Sequence, residues 1–518
     1  MTAGRWLSKM AILCMRLSVR LARRSLSPPS RSLLRRRFQC PSPPRCGKSN
    51  RLFRLVERIC HSLRPLTSNS VANVKFISST RINSLRVVLM NLSFALVAVS
   101  MGSKCQIRTT RPMASFSLAD LSKIAALLSC AVLLLLANGL QATLVPARAE
   151  LDGFSVREIG WIGTTFFAGF VLGSAMTPTF LRRVGHVRGF SVLASLTATL
   201  VLVHPLLVEP WLWSLLRAGI GFAAAGMYAI IESWLNSQAN NANRGRVFTT
   251  YATLNSLALV GGNYLFTLAH PSGAWLFTLT AILTMLCLMP VCLTVQSEPQ
   301  RPGRVRLPVL RLYTLSPAGF FGAIVVGLAG GAFWTLAISF AQARGLDQNG
   351  VALFMSAVIF GGALAQWPLG RMSDFVDRRI VILAAAVIAV GASLTLALAP
   401  FLGAVAQAVM FAGAFAYGAS AFPIGSLANA HLNDRASPTE LTEMASGILF
   451  TYGVAATIGP FVAAEIVARI GVEGLFYFAG VVHALYAVFI AVRMAQRGPA
   501  EHEPRPQPAG VPGPPRLG

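Results

Sequence analysis

One stretch of the chain sets acids and bases close enough to pair across a turn. Gly370-Arg371-Met372-Ser373-Asp374-Phe375-Val376-Asp377-Arg378-Arg379 ends a long apolar run, with Gly361-Gly362 and Gln366-Trp367-Pro368 shortly before it. An Asp at the end of an apolar helix can cap a neighbouring helix N-terminus and pair with an Arg across the loop. Such a latch would hold one arrangement of helices against another; the plainer reading is a run of solvated charges. An earlier loop, Leu181-Arg182-Arg183-Val184-Gly185-His186-Val187-Arg188, keeps a glycine, Gly185, and the bases. It carries Arg182 where Asp374 would align, so its latch lacks the acid.

Arg217 opens the small-residue run Arg217-Ala218-Gly219-Ile220-Gly221-Phe222-Ala223-Ala224-Ala225-Gly226, deep in a second apolar stretch. A cation at membrane depth is costly unless it faces a bundle interior or water. Two readings stand. Arg217 lines a cavity, where it senses protonation or binds an anion, or it snorkels outward from about 9 Å inside its span. Other polar residues in apolar runs are candidates for a cavity wall: Asn138 and Gln141, three apart and so on one helix face, with Trp334, Gln342, Gln407 and Tyr417. Each could equally be an interhelical hydrogen-bond partner.

The elements that must position these residues are membrane helices. Of 518 residues 54% are apolar and only 12% charged, with a mean hydropathy of +0.60. Soluble domains carry about twice that charge fraction, which excludes a soluble enzyme, a disordered protein and a disulfide scaffold. The net charge of +27 is uneven. Residues 1–113 hold 22 of the 45 Lys and Arg and one acid, Glu57, so the rest of the chain is nearly balanced. No cysteine pair has the C-x-x-C spacing of a metal or redox site, and neither metal, disulfide nor cofactor is expected. No nucleotide loop, HExxH or paired intramembrane carboxylates occur, so neither an enzyme nor an ATP-driven pump is expected.

Apolar stretches of roughly 20 residues, the length of a bilayer-crossing helix, recur at 124–146, 157–181, 189–208, 211–234, 247–269, 274–295, 317–342, 349–371, 380–399, 401–427, 440–468 and 473–494. The long break 296–316 divides them six and six. Loops after even-numbered spans carry thirteen arginines and those after odd-numbered spans four. Positive charge stays inside, so both termini are expected in the cytoplasm. At an offset of 192 residues Gly169 meets Gly361, Leu172 meets Leu364, Gly185 meets Asp377 and Gly226 meets Gly418. Two similar six-span halves are a transporter signature, because they can rock about a site between them.

The 370–379 loop resembles the G-x-x-x-D-x-x-G-R-R/K motif after spans 2 and 8 of the major facilitator superfamily. Asp374 and Arg378 or Arg379 stand at its acidic and basic positions, and Asp377 replaces its second glycine. Arg217 with Gly221 resembles the superfamily's span 4 pattern. Glu232-Ser233-Trp234-Leu235-Asn236 and Arg244-Gly245-Arg246, with the Asp374 loop, are similar to the YcaD-like group of bacterial facilitators. In span 5, Asn263 stands where the superfamily's antiporters carry a Pro, which leaves antiport open. The resemblance covers about 118–495. It implies an all-α membrane protein with twelve transmembrane helices in two six-helix halves, and cavity walls from spans 1, 4, 7 and 10. The expectation is a secondary transporter that moves a small solute, with protons, across the inner membrane of a bacterium. It would act as a monomer in the bilayer without nucleic acid. A non-transporting sensor or assembly protein on the same fold is the alternative.

The expected divisions are a basic extension 1–113, a half 114–295, a cytoplasmic linker 296–316, a half 317–495 and a Pro-rich tail 496–518. The extension is rich in Arg, Ser and Pro and shows no sustained apolar period. A transit peptide, a nucleic-acid-binding tail and a start assigned too far upstream compete for it. The last reading predicts that a chain beginning at Met113 inserts and behaves like the full chain. Loss of membrane insertion on that truncation, in the native host, would make the segment a targeting element.

Overall fold

The computed structural model of the protein describes residues 118–239, 243–293, 309–437 and 440–496. The extension 1–113, with its short apolar run 87–101, lies outside them, as do most of the linker and most of the tail. Among the described residues there are helices and no strand.

The first half comprises α1 (Leu118–Leu151), α2 (Val156–Val184), α3 (His186–Val203), α4 (Pro210–Gln238), α5 (Arg244–Leu265), α6 (Trp275–Leu286) and the short α7 (Leu288–Cys292), which continues α6. After the short α8 (Val309–Leu315), the second half comprises α9 (Pro317–Ala343), α10 (Gln348–Phe375), α11 (Arg378–Leu398), α12 (Ala406–Asn433), α13 (Leu441–Ile470) and α14 (Gly474–Gln496). Local sequence sets several of these boundaries. Ser155 and Glu158 form a capping box at the start of α2, and Ser316 caps α9 with Pro317 behind it; both satisfy backbone N–H groups that have no partner inside the helix.

Among the described residues ten stretches are long and apolar enough to cross a membrane. One of them, Arg378–Asn433, holds both α11 and α12, which turn at a 3-10 corner where Gly403 takes a φ of 56°. The corner occupies Ala399–Val405, so α12 starts later than the apolar run suggests. α5 falls outside the ten because Arg244, Arg246, Asn255 and Asn263 dilute it; α1 and α10 pack against it instead. Among the described residues the helices make twelve spans, six to a half.

Helix packing repeats between the halves. α2 packs on α4 as α10 does on α12, α1 on α5 as α9 on α13, and α3 on α6 as α11 on α14. Glycine permits the closest of these crossings. A Cβ on Gly169 would stand 1.9 Å from the Ala218 carbonyl oxygen, and one on Gly221 1.9 Å from that of Phe166. In the second half Gly361 faces Phe415 and Gly418 faces Val358 in the same way. Side chains in such places force the helices apart, at about 1–3 kcal/mol each. The crossing corrects the sequence alignment: Gly361 is the counterpart of Gly169 at 192 residues, but the counterpart of Gly418 is Gly221, at 197. Gly226 instead packs against Leu193 of α3. The slip accrues in α11, which is longer than α3, and in the corner after it.

Candidate functional site

Loops after the even spans make one face of the bundle, the basic face; loops after the odd spans make the opposite face. In the first half, polar residues of α1 tie its neighbours together. The Asn138 amide donates to the Tyr228 hydroxyl of α4, and Thr143 donates to Asn263 of α5 at 3.0 Å. Arg217 of α4 donates to Gln141 of α1 at 2.9 Å, and its guanidinium lies over the Phe166 ring of α2, 4.2 Å from the centroid. The charge is therefore gripped between α1 and α2 instead of turning outward to lipid. Its buried Nε has no partner, and it enters no ion pair among the described residues. One turn beyond Tyr228 stands the exposed Glu232 carboxylate, with Tyr251 of α5 beside it.

A cavity of about 300 Å³ lies at mid-depth on the second half. Trp334, Tyr417, Tyr452 and His483 line it, and Ser256 and Leu259 of α5 close it from the first half. Aromatic contacts order its wall: Trp334 leans on Phe422 at 5.9 Å between centroids, and Tyr417 meets His483 edge-on at 6.0 Å. Among the described residues no group of three His, Cys, Asp or Glu converges to hold a metal.

The 370–379 loop has Arg378 at its centre. Its guanidinium reaches Asp434 at the end of α12 (2.6 Å), Ser373 Oγ (2.8 Å) and Asp374 (3.2 Å). Asp374 is 55% exposed and is the longest of the three contacts. Arg371 lies near the Trp367 and Phe375 rings, 5.9 Å from each centroid.

Asp377 caps α11 through the Arg379 backbone N–H (2.9 Å) and pairs with the Arg379 guanidinium at 2.7 and 3.0 Å. Burial alone would raise the Asp377 carboxyl, but the Arg379 hydrogen bonds and charge outweigh it and hold the group below the ordinary carboxylate range. The pair's stabilisation is thus full above the unfolded Asp value of 3.8 and is lost as pH falls through the lower folded value. Asp377→Asn is expected to melt at a lower temperature at neutral pH and to lose less on acidification. Thermal unfolding at neutral pH and about pH 3 checks this; an equal acid-induced drop in both proteins would refute it.

The first-half loop is built differently. Gly185, at a φ of 83°, both ends α2 and starts α3. That conformation favours glycine, whereas Asp377 sits at a φ of −51° and needs no such freedom. Arg182 donates to Thr179 at 3.0 Å within its own helix.

On the opposite face the halves are fastened together. Arg157 of α2 pairs with Glu465 of α13 at 2.9 Å, Trp161 packs on Phe461 at 5.1 Å, and Gln348 of α10 donates to the Ala269 carbonyl at 3.0 Å. Gly163 of α2 abuts Thr335 of α9 so closely that a Cβ would lie 2.1 Å from its hydroxyl oxygen.

The structure joins some of the sequence candidates and separates others. Asn138, Gln141, Arg217 and Gly221 belong to one first-half cluster, Trp334 and Tyr417 to the second-half cavity, and Gly370 to Arg379 to the basic-face loop. Gln342 lies at the opposite-face end of α9 with its buried Oε1 unpartnered, and Gln407 is exposed in the first turn of α12; neither lines the cavity. Their apolar runs end in a helix terminus and a corner, which sequence spacing did not show. Tyr228, Tyr251, Tyr452 and His483 were missed. A signal existed for His483, because an ionisable residue inside a span marks a functional hypothesis.

Two repeated six-helix units about a mid-depth cavity define a transporter fold. The chain belongs to the major facilitator superfamily, whose model matches residues 127–315 and 319–516. It is similar to the MFS-type transporter YcaD of Escherichia coli, with 23% identity over 382 residues, 73% of this chain and 96% of YcaD. Solved structures share the fold. A mutant of the nucleoside transporter NupG superposes with a TM-score of 0.62 at 13% identity, covering 71% of this chain and 98% of NupG. The D-xylose-proton symporter gives 0.60 at 15%, covering 71% and 97%. A bacterial homologue of the lysosomal transporter Spinster, in an inward-facing and occupied conformation, gives 0.59 at 14%, covering 75% and 98%.

Proposed function

We propose that the protein carries a small solute across the cytoplasmic membrane by alternating access, coupled to protons, as a monomer with both termini in the cytoplasm and no nucleic-acid partner. One observation carries the reading: the two repeats are clamped at the opposite face around a cavity walled by both. Breaking that clamp and closing the basic face would expose the cavity to the other side. The arginine-rich loops support a cytoplasmic basic face, and on that reading this arrangement is the inward-facing one. Glu232, an exposed carboxylate within α4 with Tyr251 beside it, is the group best placed to exchange a proton.

The test is a metabolite-uptake screen comparing a deletion strain with its parent, followed by reconstitution of the purified chain in liposomes with an imposed pH gradient. Loss of one solute's uptake in the deletion strain, and gradient-driven uptake by the liposomes, are the results expected. Uptake indifferent to the gradient would remove the proton. A uniform lack of uptake differences would favour a sensor on the same fold.

A further inference from the structure

His483 of α14 is a buried side chain in the cavity wall with no role assigned to its imidazole nitrogens. Its Nδ1 lies 2.7 Å from the Ala479 carbonyl oxygen, one turn back on the same helix. A carbonyl only accepts, so Nδ1 carries the hydrogen and donates. A charged imidazole buried without an acid would be costly, so the ring is neutral and Nε2 presents a lone pair. That atom is buried and has no partner, in a ring that stands in the cavity wall beside Tyr417, so a donor in the cavity reaches it by parting the wall side chains. An acceptor buried without a donor is destabilising, and none of the polar wall residues Ser256, Gln366, Tyr417 and Tyr452 donates to it.

We propose that His483 Nε2 is the polar anchor of the solute site, accepting a hydrogen bond from an uncharged aromatic or heteroaromatic solute that bears an N–H or O–H. The ring of such a solute packs against Trp334, Phe422 and Tyr452, which offer aromatic faces. No charge faces the cavity from these residues, which sets the class as neutral. The inference deepens the transport reading, since it names what the proposed cavity holds.

The probes are 5-fluoroindole, which carries the N–H, and 1-methyl-5-fluoroindole, which has the same ring without it. Binding to the purified full chain in lipid nanodiscs is read by fluorine NMR, with empty discs subtracted for partition into lipid. The intact protein is expected to bind 5-fluoroindole at least about fivefold more tightly than the methylated probe. His483→Phe keeps a ring but no acceptor and is expected to abolish that preference while leaving the methylated probe within about twofold. Trp334→Ala should weaken both probes together. Equal binding of the two probes by the intact protein, a preference that survives in His483→Phe, or no saturable binding of 5-fluoroindole would each overturn the proposal. The readout needs no transport, so a chain that binds 5-fluoroindole yet moves no solute would remove the transport reading and leave this site standing.

Discussion

Arg217→Lys is expected to lower transport at least about tenfold, and Arg217→Ala to abolish it, with both variants reaching the membrane at normal levels. The guanidinium does two things at once: it donates to Gln141 and lies flat over Phe166. A Lys ammonium keeps the charge but lacks the planar fork that can satisfy both contacts. Arg217→Ala also strands Gln141, itself buried, without its donor. The Nε has no partner, so on the proposed reading it can take a further acceptor when the helices rearrange and so couple binding to conformational change. The measurement is uptake of the solute found by screening, normalised to the amount of each variant in the membrane. Near-normal uptake by Arg217→Lys would return Arg217 to a structural anchor.

Arg378→Gln is expected to reduce transport about tenfold, whereas Asp374→Asn costs about twofold and Arg188→Gln almost nothing. The loop sequence directs attention to Asp374 as its acid. The structure moves the weight to Arg378, which joins Asp434, Ser373 and Asp374, while Asp374 is exposed and contributes one contact at 3.2 Å. Exposed pairs are worth little because water and salt screen them. Losing Arg378 removes the ion pair that joins the start of α11 to the end of α12. Arg188 lies on an exposed surface of α3. Initial uptake rates at matched expression decide the order; an Asp374→Asn variant more damaged than Arg378→Gln would give the latch back to the acid.

Much of the architecture was legible before any coordinates. Span length and apolarity are set by the bilayer, which admits only backbones that satisfy themselves internally. Each span could therefore be counted from local composition, and the central break separated the halves. The candidate site was legible in part. Asn138 and Gln141 were grouped by spacing, and both reach α4; but the spacing did not show which residues they meet, because Tyr228 and Arg217 are set by the antiparallel run of α4 against α1.

By itself, then, the sequence determined twelve spans, two repeated halves and the asymmetry of basic loops, and it pointed to a cation inside a span. These follow from solvent preference, which acts residue by residue along the chain. Tertiary structure alone decided that Gly221 rather than Gly226 answers Gly418, that Arg378 rather than Asp374 centres its loop, and that His483 shares a cavity with Trp334. Each of these depends on helix crossing points and rotations. In lipid those are fixed by close packing of small residues and by interhelical hydrogen bonds between residues far apart in the chain, and no local pattern records them.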